Sequence, residues 1–220
     1  EQNELIDVLP FLMKTTKFGK VINSLPFFGS YGGLIGPLKT SKLILESFNE
    51  FNNENDILSS VIISNPFAEV SDLYEKYFDY TYVDNRLIQC IKFDNFSKDD
   101  LWNSFEQRVR RSIRKSINLN VKIEKTSLSY DVITDFYSMH KSEIESKNGK
   151  VKPTDFFINI KNNFEIHDDY DIFCAKIDDK PISYLLVFYF NQFTEYYMPA
   201  YDPQQKNTQS TRRAGSQFLF

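Results

Sequence analysis

Cysteine and histidine are scarce in this chain, with two of each among 220 residues. Cys90 and Cys174 lie far apart and follow no metal-ligand spacing, and His140 and His167 are solitary, which argues against a zinc site. The two cysteines read as buried thiols of a reducing compartment. No Gly-x-Ser-x-Gly elbow and no Walker loop is present. No catalytic nucleophile is evident, so any group transfer is expected to be direct rather than through a covalent enzyme intermediate. No apolar run reaches the ~18 residues of a membrane span. No secretory leader is visible at the start. The first residue is Glu1 rather than methionine, so the chain is expected to be part of a longer protein.

What is present is aromatic and locally basic. There are 21 Phe and 13 Tyr, more than an ordinary domain carries, which suggests sheets packed on helices and a ring-lined groove. The chain as a whole is acidic, with 26 Lys and Arg against 30 Asp and Glu. Against that balance stands DDLWNSFEQRVRRSIRKSIN, residues 99–118. It reads as one amphipathic helix, with Leu101, Phe105, Val109, Ile113 and Ile117 as an apolar stripe and Trp102 beside them. Ser97 stands at the N-cap position and Asp100 completes a capping box. Arg108, Arg111 and Lys115 lie on the far side, with Arg110 and Arg114 on its flank. Such a face is either the solvated side of a surface helix or a site for a polyanion such as phosphate, pyrophosphate or RNA.

The rest alternates between strand and helix signals, as an α/β protein does. Residues 4–14 and 19–25 read as strands joined by a turn at Thr15 to Gly19. Four of the seven glycines, Gly29, Gly32, Gly33 and Gly36, fall in LPFFGSYGGLIGP, residues 25–37. This is either a turn-rich connection or a loop whose bare N–H groups face a substrate, with Phe27, Phe28 and Tyr31 as pocket wall. A helix over 41–51 buries Leu43, Leu45 and Phe48. A buried strand at 57–64, a helix at 66–77, and strands at 80–83 and 86–93 around an Asp84-Asn85 turn follow. After the basic helix come a strand at 121–124 and a helix at 130–147. That helix has Ile133, Phe136, Tyr137, His140 and Ile144 on one face and closes at Asn148-Gly149. His140 reads as a satisfied core histidine. A helix over 156–164 leads to strands 171–177, 181–190 and 193–201, an antiparallel meander rich in Tyr and Phe.

Four segments, in this order, resemble the FemAB-like acyltransferases: SLPFFGSYGG (24–33), LWNSFEQRVRRSIRKSINLNVKI (101–123), FYSMHKSEIESKNGKVKPTDFF (136–157) and AKIDDKPISYLLVFYFNQFTEYYMPAYDP (175–203). The resemblance implies tandem GNAT-like units with mixed, mainly antiparallel bent sheets flanked by helices. An incomplete first unit would span 1–97, and a second unit, truncated at its C-terminal end, would span 98–220. It implies an acyl or aminoacyl transferase acting on an amine of a cell-envelope or polysaccharide precursor. Peptidoglycan-bridge enzymes of this kind use aminoacyl-tRNA, and others use thioesters of coenzyme A or of acyl carrier protein. Such a protein would work in the cytoplasm, at the inner face of the membrane where it makes peripheral contact, with no bound cofactor. The basic helix matches at Arg111, Ile113, Arg114 and Lys115. The glycine segment matches at Tyr31, Gly32 and Gly33, and the middle motif at Lys147, Gly149 and Pro153. Arg212 to Ser216 resembles a pyrophosphate loop but has Gln217 where a small residue is expected.

Acyl transfer to an amine requires a neutral amine, a positioned carbonyl and hydrogen bonds to the tetrahedral oxyanion. A splayed central strand at Tyr196 to Ala200, interrupted at Met198-Pro199, is expected to supply backbone N–H groups, and Tyr196 or Tyr201 to protonate the leaving group. Substrate is expected to be held by Tyr31, Gly32, Gly33, Arg110, Arg111, Arg114, Lys115 and Lys147. The competing reading is a non-catalytic module that binds nucleic acid or anionic glycan through the same basic helix.

Overall fold

The computed structural model describes residues 6–25, 31–92, 97–210 and 214–215. It divides into two compact units, 1–92 and 93–220.

In the first unit, β1 (Leu12–Thr16) and β2 (Gly19–Asn23) form an antiparallel hairpin, and β3 (Ile57–Val61) joins β2 in parallel. A parallel pair needs a crossover, and α1 (Ser41–Glu54) lies within it. Leu45 and Phe48 of α1 are buried with Ile22, Leu34 and Val70. Leu43 is exposed, contrary to its expected inward place, because it is out of phase with Leu45 and Phe48 on the helix. A short helix, α2 (Ser71–Tyr77), begins later than the expected 66 because Pro66 and Phe67 belong to a turn.

Three strand expectations fail here. The first strand occupies 12–16 rather than 4–14, and the region before it offers only the bridge between Val8 and Ile35. β3 is largely exposed rather than buried. Residues 80–92 form no strand, and Asp84-Asn85 closes no hairpin. Asp84 instead pairs with Arg86 at 2.7 Å, and Leu87 is fully exposed. The β-forming side chains of this stretch find no ladder partner among the described residues, and backbone propensity alone does not make a strand.

The second unit opens on α3 (Lys98–Ser104) and α4 (Gln107–Asn118), two helices where one was expected. Ser97 and Asp100 form the expected capping box. The helix breaks at Phe105 and Glu106, whose backbones are extended. Arg110 closes the corner, its guanidinium donating to the Asn103 carbonyl at 2.9 Å. The break resets the phase of the second half. In α4 Ile113 and Ser116 are buried, while Ile117, assigned to the stripe, is exposed.

β4 (Lys122–Thr126), β5 (Tyr170–Ile177), β6 (Lys180–Phe190) and β7 (Phe193–Tyr201) form an antiparallel sheet in sequence order. Asp178 and Asp179 both take positive φ and make the two-residue turn between β5 and β6. α5 (Tyr130–Glu145) and α6 (Thr154–Asn163) cover one face. There Ile133, Phe136, Phe157 and Ile160 pack on Ile172, Cys174, Tyr184, Leu186 and Met198. Phe136 stacks on Tyr184 at 5.3 Å. The other face carries Phe173, Leu185 and Val187 against Ala214. α5 ends as expected, with Asn148 left-handed and the Gly149 N–H donating to the Ile144 carbonyl at 2.9 Å. A 3₁₀ turn, Pro203–Thr208, follows β7.

Candidate functional site

The densest chemistry in the second unit gathers where the C-terminal half of α5, the segment before α6, and β7 meet. Lys152 precedes Pro153, the N-cap residue of α6, and is 8% exposed. Its Nζ lies 4.6 Å from the Tyr197 ring centroid and 5.1 Å from that of Phe156. Phe156 and Tyr197 stack on each other at 6.0 Å, and Phe188 meets Tyr197 edge-on at 5.0 Å. Tyr197 reaches this side because β7 carries a bulge there. Leu186 pairs with Met198 and Val187 with Tyr196, leaving Tyr197 as the extra residue. Burial in this aromatic setting pushes the Lys152 ammonium down to about 8, against the pull of Glu195.

His140 lies on the same side, 5% exposed, its ring edge-on to Phe157 at 6.5 Å. The expectation of a satisfied core histidine fails, because neither ring nitrogen has a hydrogen-bond partner among the described residues. Burial and then the positive charge of Lys152 hold its pKa below the usual value, with Glu143 opposing. One oxygen of Glu143 accepts from Lys147 at 2.7 Å, and the other is buried without a partner among the described residues. An imidazole and a carboxylate oxygen without partners among the described residues, one turn apart on α5, and the depressed lysine whose charge His140 feels are the kind of buried polar groups that ligand sites leave open.

The residues expected from the sequence fall into three groups. Lys147, Tyr196 and Tyr201 come from the end of α5 and from β7, with Glu143 acting on Lys147 and Tyr196 and Tyr201 acting on Lys147. Lys147 is tied to Glu143 and feels Tyr201, and burial followed by Glu143 pushes the Tyr196 hydroxyl up to about 12. Tyr196 and Tyr197 start from opposite faces of β7, and Tyr196 lies against Gly215 on the far one. The expected interruption at Met198-Pro199 is absent. Pro199 pairs with Leu185, the irregularity sits at Tyr197, and β7 is an edge rather than a central strand among the described residues.

Arg110, Arg111, Arg114 and Lys115 lie on α4. Arg110 is spent on the α3 carbonyls, and Arg114 lies over the Trp102 ring at 5.5 Å. Arg111 and Lys115 are exposed.

Tyr31, Gly32 and Gly33 belong to the first unit. The Gly32 N–H donates to the Ile63 carbonyl at 2.9 Å, and the Leu34 N–H donates to the Tyr74 hydroxyl at 2.9 Å. A Cβ on Gly33, at φ 82°, would stand 2.5 Å from that hydroxyl. These glycines therefore serve close packing, and the Gly32 N–H is not bare. Tyr31 packs edge-on to Phe67 at 5.8 Å. Phe27, Phe28 and Gly29 lie outside the described residues, as do Arg212, Arg213 and Ser216.

Sequence reasoning missed Lys152 and misjudged His140. The available signal was a Lys-Pro pair just ahead of the aromatic pair Phe156-Phe157. Cys90 is exposed, not buried as expected, whereas burial pushes the Cys174 thiol up to about 11. No cluster of metal-ligating side chains occurs among the described residues.

A family model described as the FemAB family matches residues 74–213, more than half of the chain. The chain belongs to the FemAB family. Its match takes in α3 and α4, the Lys152 cluster and the whole four-stranded sheet. A crystal structure of FemX has the same fold, with a TM-score of 0.68 over 99% of this chain and 73% of that one, at 13% identity. No curated protein matches the chain. Membership in the FemAB family places the chain among transferases of the peptidoglycan-related, aminoacyl-transferring kind.

Proposed function

We propose that this chain moves an aminoacyl group from aminoacyl-tRNA to the amine of a peptidoglycan precursor, with Lys152 as the base. The observation that supports this reading is the enclosure of Lys152 by Phe156 and Tyr197 beside His140, whose ring has no hydrogen-bond partner among the described residues. An acceptor ammonium must lose a proton before it attacks. A lysine poised near 8 is neutral in a useful fraction of molecules at slightly alkaline pH and is a competent acceptor for that proton. The two ring faces suit the acceptor's cationic amine as it arrives.

The step balances without an outside reagent. The acceptor ammonium gives its first proton to neutral Lys152, which passes it to solvent. The amine nitrogen then forms an amide bond to the aminoacyl carbonyl carbon, the ester bond to the ribose oxygen breaks, and the second amine proton, carried by Lys152 or a tyrosine, ends on that oxygen. Tyr196 lies on the far face of β7, against Gly215, so Tyr201, beside Lys147, is the tyrosine proposed as donor to the ribose oxygen. Lys147 and Glu143 position the C-terminal end of α5. Coenzyme A or carrier-protein thioesters are the competing donors. A lipid-linked acceptor would bring the protein to the inner membrane face as a peripheral visitor. Among the described residues no helix is long and apolar enough to cross a membrane.

The test supplies the full chain with tRNA charged with a labelled amino acid and, separately, with labelled acetyl-coenzyme A, each with a muramoyl pentapeptide precursor bearing a free amine. Label is expected to pass from tRNA to the peptide, with a loss of two orders of magnitude or more in Lys152→Gln. A folded protein that moves label from neither donor overturns the reading and favours the non-catalytic module.

A further inference from the structure

The structure sorts the five cations of the basic segment into two kinds. Arg110 and Arg114 are engaged within the α3–α4 corner. The first donates to the Asn103 carbonyl, and the second lies on the Trp102 ring, whose edge is in turn met by Phe105 at 6.4 Å. Arg108, Arg111 and Lys115 are exposed, and none has an ion pair or a side-chain hydrogen bond to a described residue. They stand three and four residues apart, so they form one row on the outer side of α4, about 4.5 Å and then 6 Å apart along its axis. α4 contains no acidic residue, on a chain whose formal net charge is −4. Three neighbouring like charges left without a carboxylate repel one another, a cost that an anionic partner relieves.

We propose that this row, Arg108, Arg111 and Lys115, is an RNA-backbone interface that holds the body of the donor tRNA while its charged end reaches the Lys152 site. The assignment rests on the transfer reaction above, since that reaction brings RNA to this protein. Two of the three cations are arginines, whose planar forks fit phosphate oxygens two at a time. α4 turns Ile113 inward and leaves Ile117 as a single exposed aliphatic, so the helix does not offer a bilayer the continuous apolar face that a membrane-lying helix inserts. Contacts of this kind set position and affinity without reading sequence. Three phosphate contacts correspond to a slope of about −2 to −3 in log K against log salt.

The test measures binding of a labelled deacylated tRNA to the full chain by anisotropy between low and moderate salt. The triple variant Arg108→Gln, Arg111→Gln, Lys115→Gln is compared with the parent, and phosphatidylglycerol vesicles serve as the second anionic probe. The three positions are exposed, and an unchanged circular dichroism melt shows that the variant folds. The proposal expects the variant to bind tRNA at least tenfold more weakly at low salt, with its salt slope reduced by about 2. Equal tRNA binding by parent and variant overturns it. So does binding of the parent to vesicles but not to tRNA. Lys152→Gln separates this proposal from the reaction it rests on. If tRNA binding needs the α4 row but no label reaches an acceptor in either protein, the interface stands and the reaction falls. If label passes at the same KM for tRNA in parent and triple variant, the reaction stands and the interface falls.

Discussion

The Lys152 Nζ lies 4.6 Å from the centre of the Tyr197 ring, and a β-bulge one residue wide is what brings that ring to it. The bulge matters because strict alternation would put Tyr197 and Tyr196 on faces set by the ladder alone. A base buried among rings, rather than a free surface amine, is the consequence. The rate of transfer is therefore expected to rise with pH through a midpoint at about 8, as Lys152 loses its proton. Lys152→Arg keeps the charge and cannot lose it, so its profile is expected to lack this midpoint and its rate to fall about 100-fold or more. A pH-rate profile of both proteins under saturating donor checks this. An arginine variant with parental rate and profile would show that the position serves only to bind an anion.

His140 offers a separation of stability from function. Its ring is buried beside Phe157, with neither nitrogen partnered among the described residues. Replacing a buried, unsatisfied polar ring by an apolar one of similar shape removes a desolvation cost. His140→Phe is expected to be neutral or to stabilise by about 1 kcal/mol, while slowing transfer. The sign with pH follows from the depressed pKa. The folded state holds fewer protons on this group than the unfolded one, so the parent loses stability as pH falls below the unfolded histidine value of about 6.5. The variant is expected to lack that loss. Urea denaturation at pH 7.5 and at pH 5.5 measures it.

Asp171 is the structural counterpart. Its buried carboxylate accepts from Lys125 at 2.6 Å, from Tyr189 at 2.8 Å, and meets His167 Nδ1 at 2.7 Å. The Lys125, Tyr189 and His167 contacts hold its pKa below the usual range despite burial, which acts the other way. That stability is present above the unfolded value of about 3.9 and is lost as pH falls through the folded one. Asp171→Asn is expected to cost about 2–3 kcal/mol, since the amide turns a donor toward donors while Lys125 keeps some solvent. The acid limb of the parent's stability curve should flatten in the variant. A denaturation series from pH 7 to pH 3 decides it.

Gly33 tests the assignment of the glycine segment to packing. At φ 82° a side chain is strained, and a Cβ would press on the Tyr74 hydroxyl that accepts the Leu34 N–H. Gly33→Ala is expected to destabilise the first unit by about 1–3 kcal/mol. A lower melting temperature with unchanged KM for either substrate is the expected result. A raised KM at parental stability would return the segment to the substrate.

The meander was legible in the sequence because its signals are local. Asp178-Asp179 and Asn191-Gln192 punctuate three runs of Tyr, Phe and aliphatic residues, and the turns fix the register. The capping box at Ser97 and the left-handed end at Asn148 were legible for the same reason. The break at Phe105-Glu106 was not, because no glycine or proline marks it. It is held by Arg110 reaching back across the corner to Asn103. The strands expected at 80–83 and 86–93 have the right residue types, but a strand exists only as a pair. Lys152 escaped notice because a lone lysine has no pattern. Its chemistry arises from rings that are 4 and 45 positions away in sequence, at Phe156 and Tyr197.

The most direct test follows label from aminoacyl-tRNA to the precursor amine in the full chain and in Lys152→Gln. Transfer by the parent, lost at least 100-fold in a folded variant that still binds tRNA, is the result expected here. Equal transfer by both proteins would contradict the assignment of Lys152 as the base, and transfer by neither would contradict the reaction itself.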